Sequence, residues 1–250
     1  MKIKNKKGTI ISDLNSWESA FLEIDKKKEH WKEGRSAYSL ASFFSTPSVE
    51  QSKGKEKIFS FLNKCGYKNV SLDVAEIEHE SIFDAYRNSR IQDMFIKGSV
   101  DGNTCVICVE AKVDEVFNDT IKKAYDKAVK YLENHPNSKQ KARIKDLCYR
   151  FFKKHPEEVG ELRYQLLYYL AGSICEAKKA NSNIVFMPVL VFKTDDYNEK
   201  KGIVNKYDYD NFMNTMEFDC KDNIYKNLVE DITVYSAYLE IHGESLKIVN

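Results

Sequence analysis

An apolar stretch that ends in two opposite charges constrains this chain more than any other feature. Residues 104–109, TCVICV, are apolar or β-branched, which predicts a strand buried on both faces of a central sheet. Glu110 and Lys112 follow, and because side chains alternate along a strand, both should project to the same side. Desolvating either ion is costly. The pair therefore indicates either a functional site or a structural ion pair that caps the strand, and the tripeptide alone favours neither.

A second apolar run supplies another charged group. Residues 90–98, RIQDMFIKG, precede the turn DGN at 101–103, which is a strong hairpin signal. The hairpin predicts two antiparallel strands, one containing Asp93 and the other ending in Glu110. Counting outward from the turn places these two carboxylates opposite each other. We therefore expect Asp93 to join Glu110 and Lys112 at one end of the sheet.

An aspartate that faces a Glu-x-Lys tripeptide on the neighbouring strand resembles the core of the PD-(D/E)XK nuclease superfamily. Here the pattern is Asp93 followed by the tripeptide EAK at 110–112. The chain is also similar to a narrower, largely uncharacterised family of bacterial proteins. The shared segments are HW…SA…LA within residues 30–41, VEAKVDEVF at 109–117 and LRYQLLYY at 162–169. The residue before Asp93 is glutamine, where the superfamily pattern has proline.

The resemblance implies an α/β fold with a restriction-endonuclease-like core. In such a core a mixed central β-sheet is flanked by α-helices, and here extra N-terminal helices precede it. We expect one domain over residues 1–250, which is an ordinary domain length. Its parts should be a helical N-terminal extension at 1–47, the core at 48–192 and a C-terminal elaboration at 193–250.

Two later strands complete the predicted sheet. Residues 184–192, IVFMPVLVF, form a continuous apolar run that should lie beside the strand at 104–109. Pro188 removes one donor from the ladder of hydrogen bonds, so we expect a bulge or an edge position there. A strand over residues 232–241 should lie at the edge of the sheet.

The expected site residues follow from the chemistry that carboxylates support. Carboxylate oxygens are hard ligands that suit Mg²⁺ or Mn²⁺, so Asp93 and Glu110 are the expected metal ligands. Lys112 would stabilise negative charge and position water at the scissile phosphate. The resemblance adds Gln165, on the helix after the Glu-x-Lys strand, as a residue that completes the site. A hydrogen-bonded packing role for Gln165 is an equal alternative.

A further carboxylate is expected from the preceding strand. Glu76, Glu78 and Glu80 alternate near the end of the strand predicted at 70–77, so they share one face. The last two lie nearest to the predicted site, and we expect Glu80 rather than Glu78 to be the extra metal ligand. The alternative is an ordinary solvated strand face.

The most basic stretch of the chain covers residues 139–154, where seven Lys or Arg residues meet one acid. A helix here would present its cations to solvent, which suits contacts with phosphate, although a merely solvated helix face has the same pattern. The expected nucleic-acid-binding residues are Lys139, Arg143, Lys145 and Arg150, together with Arg163 near the start of the next helix.

Composition restricts the partners and the compartment. The net charge is only +1, so contact with nucleic acid must come from a local patch rather than from the overall field. No apolar run approaches the ~18 residues that a membrane span needs, and no apolar segment follows the basic residues of the N-terminus. We therefore expect a cytoplasmic protein without membrane contact. The sequence is compatible both with a monomer and with a homodimer.

The expected function is divalent-metal-dependent hydrolysis of phosphodiester bonds in DNA, with RNA as a second candidate substrate. The competing hypothesis is a nuclease-like fold that no longer cleaves and serves as a nucleic-acid- or protein-binding module. The near-neutral charge favours this second hypothesis.

Overall fold

A single mixed β-sheet forms the centre of the computed structural model, which describes residues 1–24, 30–86 and 89–243. The strands within those ranges are β1 (Lys2–Lys4), β2 (Ile10–Ile11), β3 (Val70–Ser81), β4 (Arg90–Val100), β5 (Asn103–Lys112), β6 (Ile184–Lys193), β7 (Asp219–Lys221), β8 (Ile224–Val229) and β9 (Ile232–His242). The helices are α1 (Leu14–Ile24), α2 (Ser36–Ser45), α3 (Lys53–Lys64), α4 (Ile121–Asn134), α5 (Gln140–Phe152), α6 (Tyr164–Lys179) and α7 (Glu199–Thr215).

The order of strands across the sheet is β2-β1-β3-β4-β5-β6-β9-β8-β7. The central strand β4 runs antiparallel to both of its neighbours, β3 and β5, whereas β5, β6 and β9 run parallel. The DGN turn joins β4 to β5 as the hairpin signal predicts, and Val100 pairs with Asn103 across it. The predicted mixed sheet is therefore confirmed at this level.

Helices cover both faces of the sheet. On one face α1, α2 and α3 pack against Ile107 and Val109 of β5, and on the other α4 to α7 pack against Val106 and Cys108. This division follows from the alternation of side chains along β5, which is apolar on both faces. The chain is thus an α/β protein in which a mixed sheet lies between two layers of helices. None of the described helices is long and apolar enough to cross a membrane.

Two expectations about the sheet are wrong. The strand at 232–241 is not at the edge, because the hairpin of β7 and β8 extends the sheet beyond it. Pro188 lies in the interior strand β6 opposite Ala237, with the same register before and after it. The Tyr169 hydroxyl of α6 donates to the carbonyl oxygen of Cys108 on β5 over 2.5 Å and lies 3.2 Å from that of Pro188. One missing N–H group in a ladder of this length is tolerated without a bulge.

Candidate active site

Four of the residues expected at the site come together where β4 begins, β5 ends and α6 begins. The antiparallel register of β4 and β5 reaches Met94 opposite Val109, and the next residues outward are Asp93 and Glu110. Gln165 in the first turn of α6 then lies above the end of β5. We call Arg90, Asp93, Glu110, Lys112 and Gln165 the carboxylate cluster.

Glu110 is the centre of this cluster and is only 2% exposed. Its Oε1 atom lies 3.0 Å from Lys112 Nζ and accepts a hydrogen bond of 2.6 Å from Gln165 Nε2. Its Oε2 atom accepts from Arg90 Nη2. Burial opposes ionisation of Glu110, but the two cations outweigh that effect and lower its pKa. Glu110 is therefore a charged carboxylate whose two oxygens are both engaged.

Lys112 is a buried ammonium group held by the same contacts. Its Nζ atom also donates to Gln165 Oε1 over 3.3 Å, so the amide of Gln165 bridges Lys112 and Glu110. Burial disfavours the charged form of Lys112, but Glu110 and Asp93 outweigh it and raise the pKa of Lys112. Gln165 would therefore make the same two hydrogen bonds whether its role is in packing or in a functional site.

Asp93 differs from Glu110 in that no cation contacts it directly among the described residues. Its Oδ2 atom accepts a hydrogen bond of 2.6 Å from the backbone N–H of Ala111. Burial, followed by repulsion from Glu110, raises the pKa of Asp93 to about 7. Asp93 is half-buried and lines a cavity of about 390 Å³, so its carboxyl group is the member of the cluster that can meet a ligand.

Glu78, and not Glu80, accompanies Asp93 at this cavity. Glu80 is exposed, accepts a hydrogen bond of 2.6 Å from Ser89 Oγ and is absent from the cavity wall, so the choice of Glu80 is wrong. In β3 the alternation reverses at Glu78, which has a left-handed φ of 49°, and this ends the single face that Glu76, Glu78 and Glu80 were expected to share. Ile77 packs under α1 to α3, whereas His79 Nε2 reaches Glu176 of α6.

The basic residues of α5 do not form one exposed face. Lys139 and Arg143 line a second cavity, but Arg143 is only 9% exposed, so its expected position in solvent is wrong. Arg143 Nε donates to Asp84 Oδ2 over 2.7 Å, and its guanidinium lies over the ring of Phe83. Lys145 is exposed, as expected. Arg143 turns inward because the loop after β3 offers it an acid and an aromatic ring.

The other two candidate cations are occupied by acids. Arg150 makes a two-pronged ion pair with Glu230, at 2.6 and 2.8 Å. Arg163 Nε donates to Asp208 Oδ2 over 2.7 Å. Bidentate and charge-assisted pairs of this kind compete directly with phosphate. Both arginines are therefore already paired with acids, whereas the sequence pattern predicts that they contact nucleic acid.

A family model described as a domain of unknown function, DUF6946, matches residues 11–242. The chain belongs to this family. A comparison with curated proteins and a comparison with solved structures found no match. The matched segment contains the whole carboxylate cluster and both cavities.

Arg90 is the residue of this DUF6946 site that sequence reasoning missed. It lies three positions before Asp93, and simple alternation would put the two side chains on opposite faces of β4. In the structure Arg90 is 7% exposed and contacts Glu110, and its guanidinium lies 5.2 Å from the ring centre of Tyr168. No signal in the sequence could have shown that a distant helix and the end of β5 would draw this arginine inward.

A metal ion in the DUF6946 site would have few protein ligands. Across residues 1–24, 30–86 and 89–243, no group of three or more His, Cys, Asp or Glu side chains could hold one. The nearest donors are Asp93, which faces a cavity, and Glu110, which raises the pKa of Asp93 and whose oxygens a metal would have to share with Arg90, Lys112 and Gln165. Two neighbouring carboxylates of this kind suit Mg²⁺, which keeps several waters and takes one or two carboxylate ligands.

Proposed function

We propose that this protein is a divalent-metal-dependent nuclease of the PD-(D/E)XK type that hydrolyses phosphodiester bonds in DNA, with RNA as a second substrate. The observation that carries the proposal is the meeting of Asp93, Glu110, Lys112 and Gln165 at adjoining ends of two strands and a helix. The mixed sheet flanked by helices agrees with the restriction-endonuclease-like core that the resemblance implies.

In this proposal Asp93 and Glu110 hold Mg²⁺ or Mn²⁺. When bound, the metal supplies Lewis acidity and lowers the pKa of a coordinated water. The raised pKa of Asp93 supports the assignment, because burial and a neighbouring carboxylate both penalise a second negative charge that a divalent cation would offset. Electrostatics therefore favours a cation beside Asp93 at neutral pH.

The remaining residues of the cluster act through position and charge. Lys112 carries a buried positive charge 3.0 Å from Glu110, where it would stabilise negative charge on a phosphate oxygen. Gln165 fixes both partners by donating to Glu110 and accepting from Lys112. Lys32 lines the cavity that Asp93 faces and would attract the phosphate backbone into it. Arg35 lines it as well, but its Nη1 atom is paired with Asp114 Oδ1 at 3.0 Å.

The proposal is tested by incubating the purified protein with Mg²⁺ or Mn²⁺ and plasmid DNA, single-stranded DNA or RNA. We expect cleavage by the wild type, and loss of cleavage in Asp93→Asn and Lys112→Met. Asp126→Asn is the matched control, since Asp126 is an exposed aspartate of α4 outside the cluster. Equal cleavage by all four proteins would refute the proposal, because the activity would then come from another site or a contaminant.

The second candidate function is a binding module that no longer cleaves, and the Arg90–Glu110 ion pair favours it. The Arg90 guanidinium engages Glu110 Oε2, which a metal would need to share. Calorimetry with Mn²⁺ separates the two candidates. A nuclease should bind Mn²⁺ in the wild type and lose it in Asp93→Asn, whereas a module blocked by Arg90 should bind Mn²⁺ only after Arg90→Met.

A further inference from the structure

A second cavity is separate from the one that Asp93 faces and is larger than it. It has a volume of about 1080 Å³ and lies between the start of β4, the end of α4, and the starts of α5 and α6. We call it the aromatic cavity because its wall includes the rings of Phe83, Tyr86, Tyr131, Tyr164 and Tyr168. Arg90 belongs both to this wall and to the carboxylate cluster, so the cavity adjoins the proposed active site.

Two buried arginines at this cavity keep unused hydrogen-bond donors. Arg90 is 7% exposed and Arg143 is 9% exposed, and both line the cavity. Within the described residues, Arg90 Nε and Arg143 Nη2 have no hydrogen-bond acceptor. Buried polar groups in proteins are nearly always paired, since an unpaired donor to a charged group is costly. Both of these atoms are covered by protein, so the two guanidinium groups bring positive charge to the cavity wall rather than open donors to its interior.

The aromatic side chains offer flat faces to a ligand in this cavity. Tyr131 is 50% exposed although it is a large ring, and it stacks on His135 with centroids 3.8 Å apart and planes 6° apart. Tyr164 and Tyr168 meet edge to face at 5.1 Å. Exposed rings held rigidly at a cavity are the platforms on which unpaired bases stack. A base pair inside a duplex hides both base faces, so such platforms select single-stranded nucleic acid.

The rim adds a charge that suits phosphate. Lys139, at the start of α5, is exposed and lines the cavity. Acids are present as well, because Asp84 pairs with Arg143 and Asp146 accepts a hydrogen bond from Tyr86. The cavity is therefore moderately rather than strongly basic, which favours a ligand with one or a few phosphates over the backbone of a long duplex.

We propose that the aromatic cavity binds an unpaired nucleotide, with its base stacked on Tyr131 and its phosphate contacted by Lys139. This inference rests on the proposed function, because the nucleotide would be part of a single-stranded substrate. Another part of the same strand would reach the carboxylate cluster past Arg90. The inference deepens that function by naming single-stranded nucleic acid as the substrate class.

The test measures binding without cleavage. Fluorescence anisotropy of a labelled oligothymidylate is recorded in EDTA, with unlabelled thymidine monophosphate and an unlabelled duplex as competitors. We expect Tyr131→Ala and Lys139→Gln each to weaken binding about tenfold, because the first removes a stacked base contact and the second a phosphate contact. Tyr149→Ala on α5 and Lys200→Gln on α7 are matched controls on exposed residues that lie outside the cavity wall, and they should bind as the wild type does.

Each outcome decides the inference. Full displacement by the monophosphate supports the cavity and makes a free nucleotide its ligand, whereas displacement by single strands alone supports a strand. The inference is overturned if the wild type does not bind the labelled oligothymidylate, if the unlabelled duplex displaces it, or if all four variants bind alike. Binding is measured in EDTA and therefore without metal. A protein that binds the oligothymidylate but never cleaves DNA or RNA would contradict the nuclease proposal and still support nucleotide binding in the aromatic cavity. Cleavage by the wild type, combined with unchanged binding by Tyr131→Ala, would support the nuclease proposal and contradict nucleotide binding in the aromatic cavity.

Discussion

Replacing Asp93 by asparagine and replacing Glu110 by glutamine should change the stability of the fold in opposite directions, although the two residues lie on adjacent strands. Asp93→Asn removes a carboxyl group whose pKa is raised to about 7 by burial and by Glu110. The amide oxygen of the variant can still accept from the N–H of Ala111. Glu110→Gln removes the only carboxylate that Arg90 Nη2 and Lys112 Nζ are seen to contact directly in the described part of the chain. We therefore expect the first change to stabilise the fold at alkaline pH and the second to destabilise it.

The size of the effect at Asp93 follows from its pKa. The folded state holds a proton on Asp93 between the usual value of 3.8 and about 7, so stability falls as the pH rises through that interval. Each pH unit corresponds to about 1.4 kcal/mol, which gives an upper limit of about 4 kcal/mol for full ionisation. Asp93 is only half-buried, and solvent screening reduces the expected gain for Asp93→Asn to about 2 kcal/mol.

The loss at Glu110 has another origin and a different pH dependence. Glu110→Gln would leave two buried cations without their shared countercharge, and breaking a buried pair in this way costs about 3–5 kcal/mol. Because the pKa of Glu110 is lowered, the carboxylate is charged throughout the measured range. The cost should therefore be similar at acidic and alkaline pH.

Urea unfolding, followed by the fluorescence of the two tryptophans, Trp17 and Trp31, measures both effects. The free energy of unfolding is compared at about pH 5 and about pH 8.5, which lie on either side of the pKa of Asp93. The reasoning is refuted if Asp93→Asn stabilises the protein equally at both pH values, or if it destabilises it at the higher one. Stabilisation by Glu110→Gln would show that the ion pairs of the cluster do not hold the fold in the way described.

Two further predictions concern the strands that carry the site. Gly98→Ala should destabilise the fold by about 3 kcal/mol in urea unfolding, because a Cβ at this position would lie 2.1 Å from the carbonyl oxygen of Ser71; a change below 1 kcal/mol would contradict this close approach. His79 contacts Glu76 and Glu176, which outweigh the effect of its burial and raise its pKa. The stability that protonated His79 supplies is present below about pH 6.5 and is lost as the pH rises through the raised value. His79→Gln should abolish that loss in unfolding measured between about pH 6 and pH 9, and an unchanged slope would rule the ion pairs out.

Local patterns in the sequence determined the strands and the hairpin that carry the site. The apolar run at 104–109, the DGN turn and the run at 184–192 predict β5, its antiparallel partner β4 and its parallel neighbour β6, as found. The period of two along a strand was enough to place Glu110 and Lys112 together, and the turn was enough to bring Asp93 to them. These features depend on residues close in sequence, so they can be found without knowing the fold.

Tertiary structure alone decided which charges meet. Arg90 engages Glu110, Glu78 replaces Glu80 at the cavity, and Arg143 turns inward to Asp84. In β3 a single left-handed residue inverts the alternation, so every later side chain changes face. The partner of a buried charge is set by elements far apart in the chain, and a strand pattern does not contain that information. The sequence determines that a carboxylate cluster forms, and the packing of α5 and α6 onto the sheet determines what lies beside it.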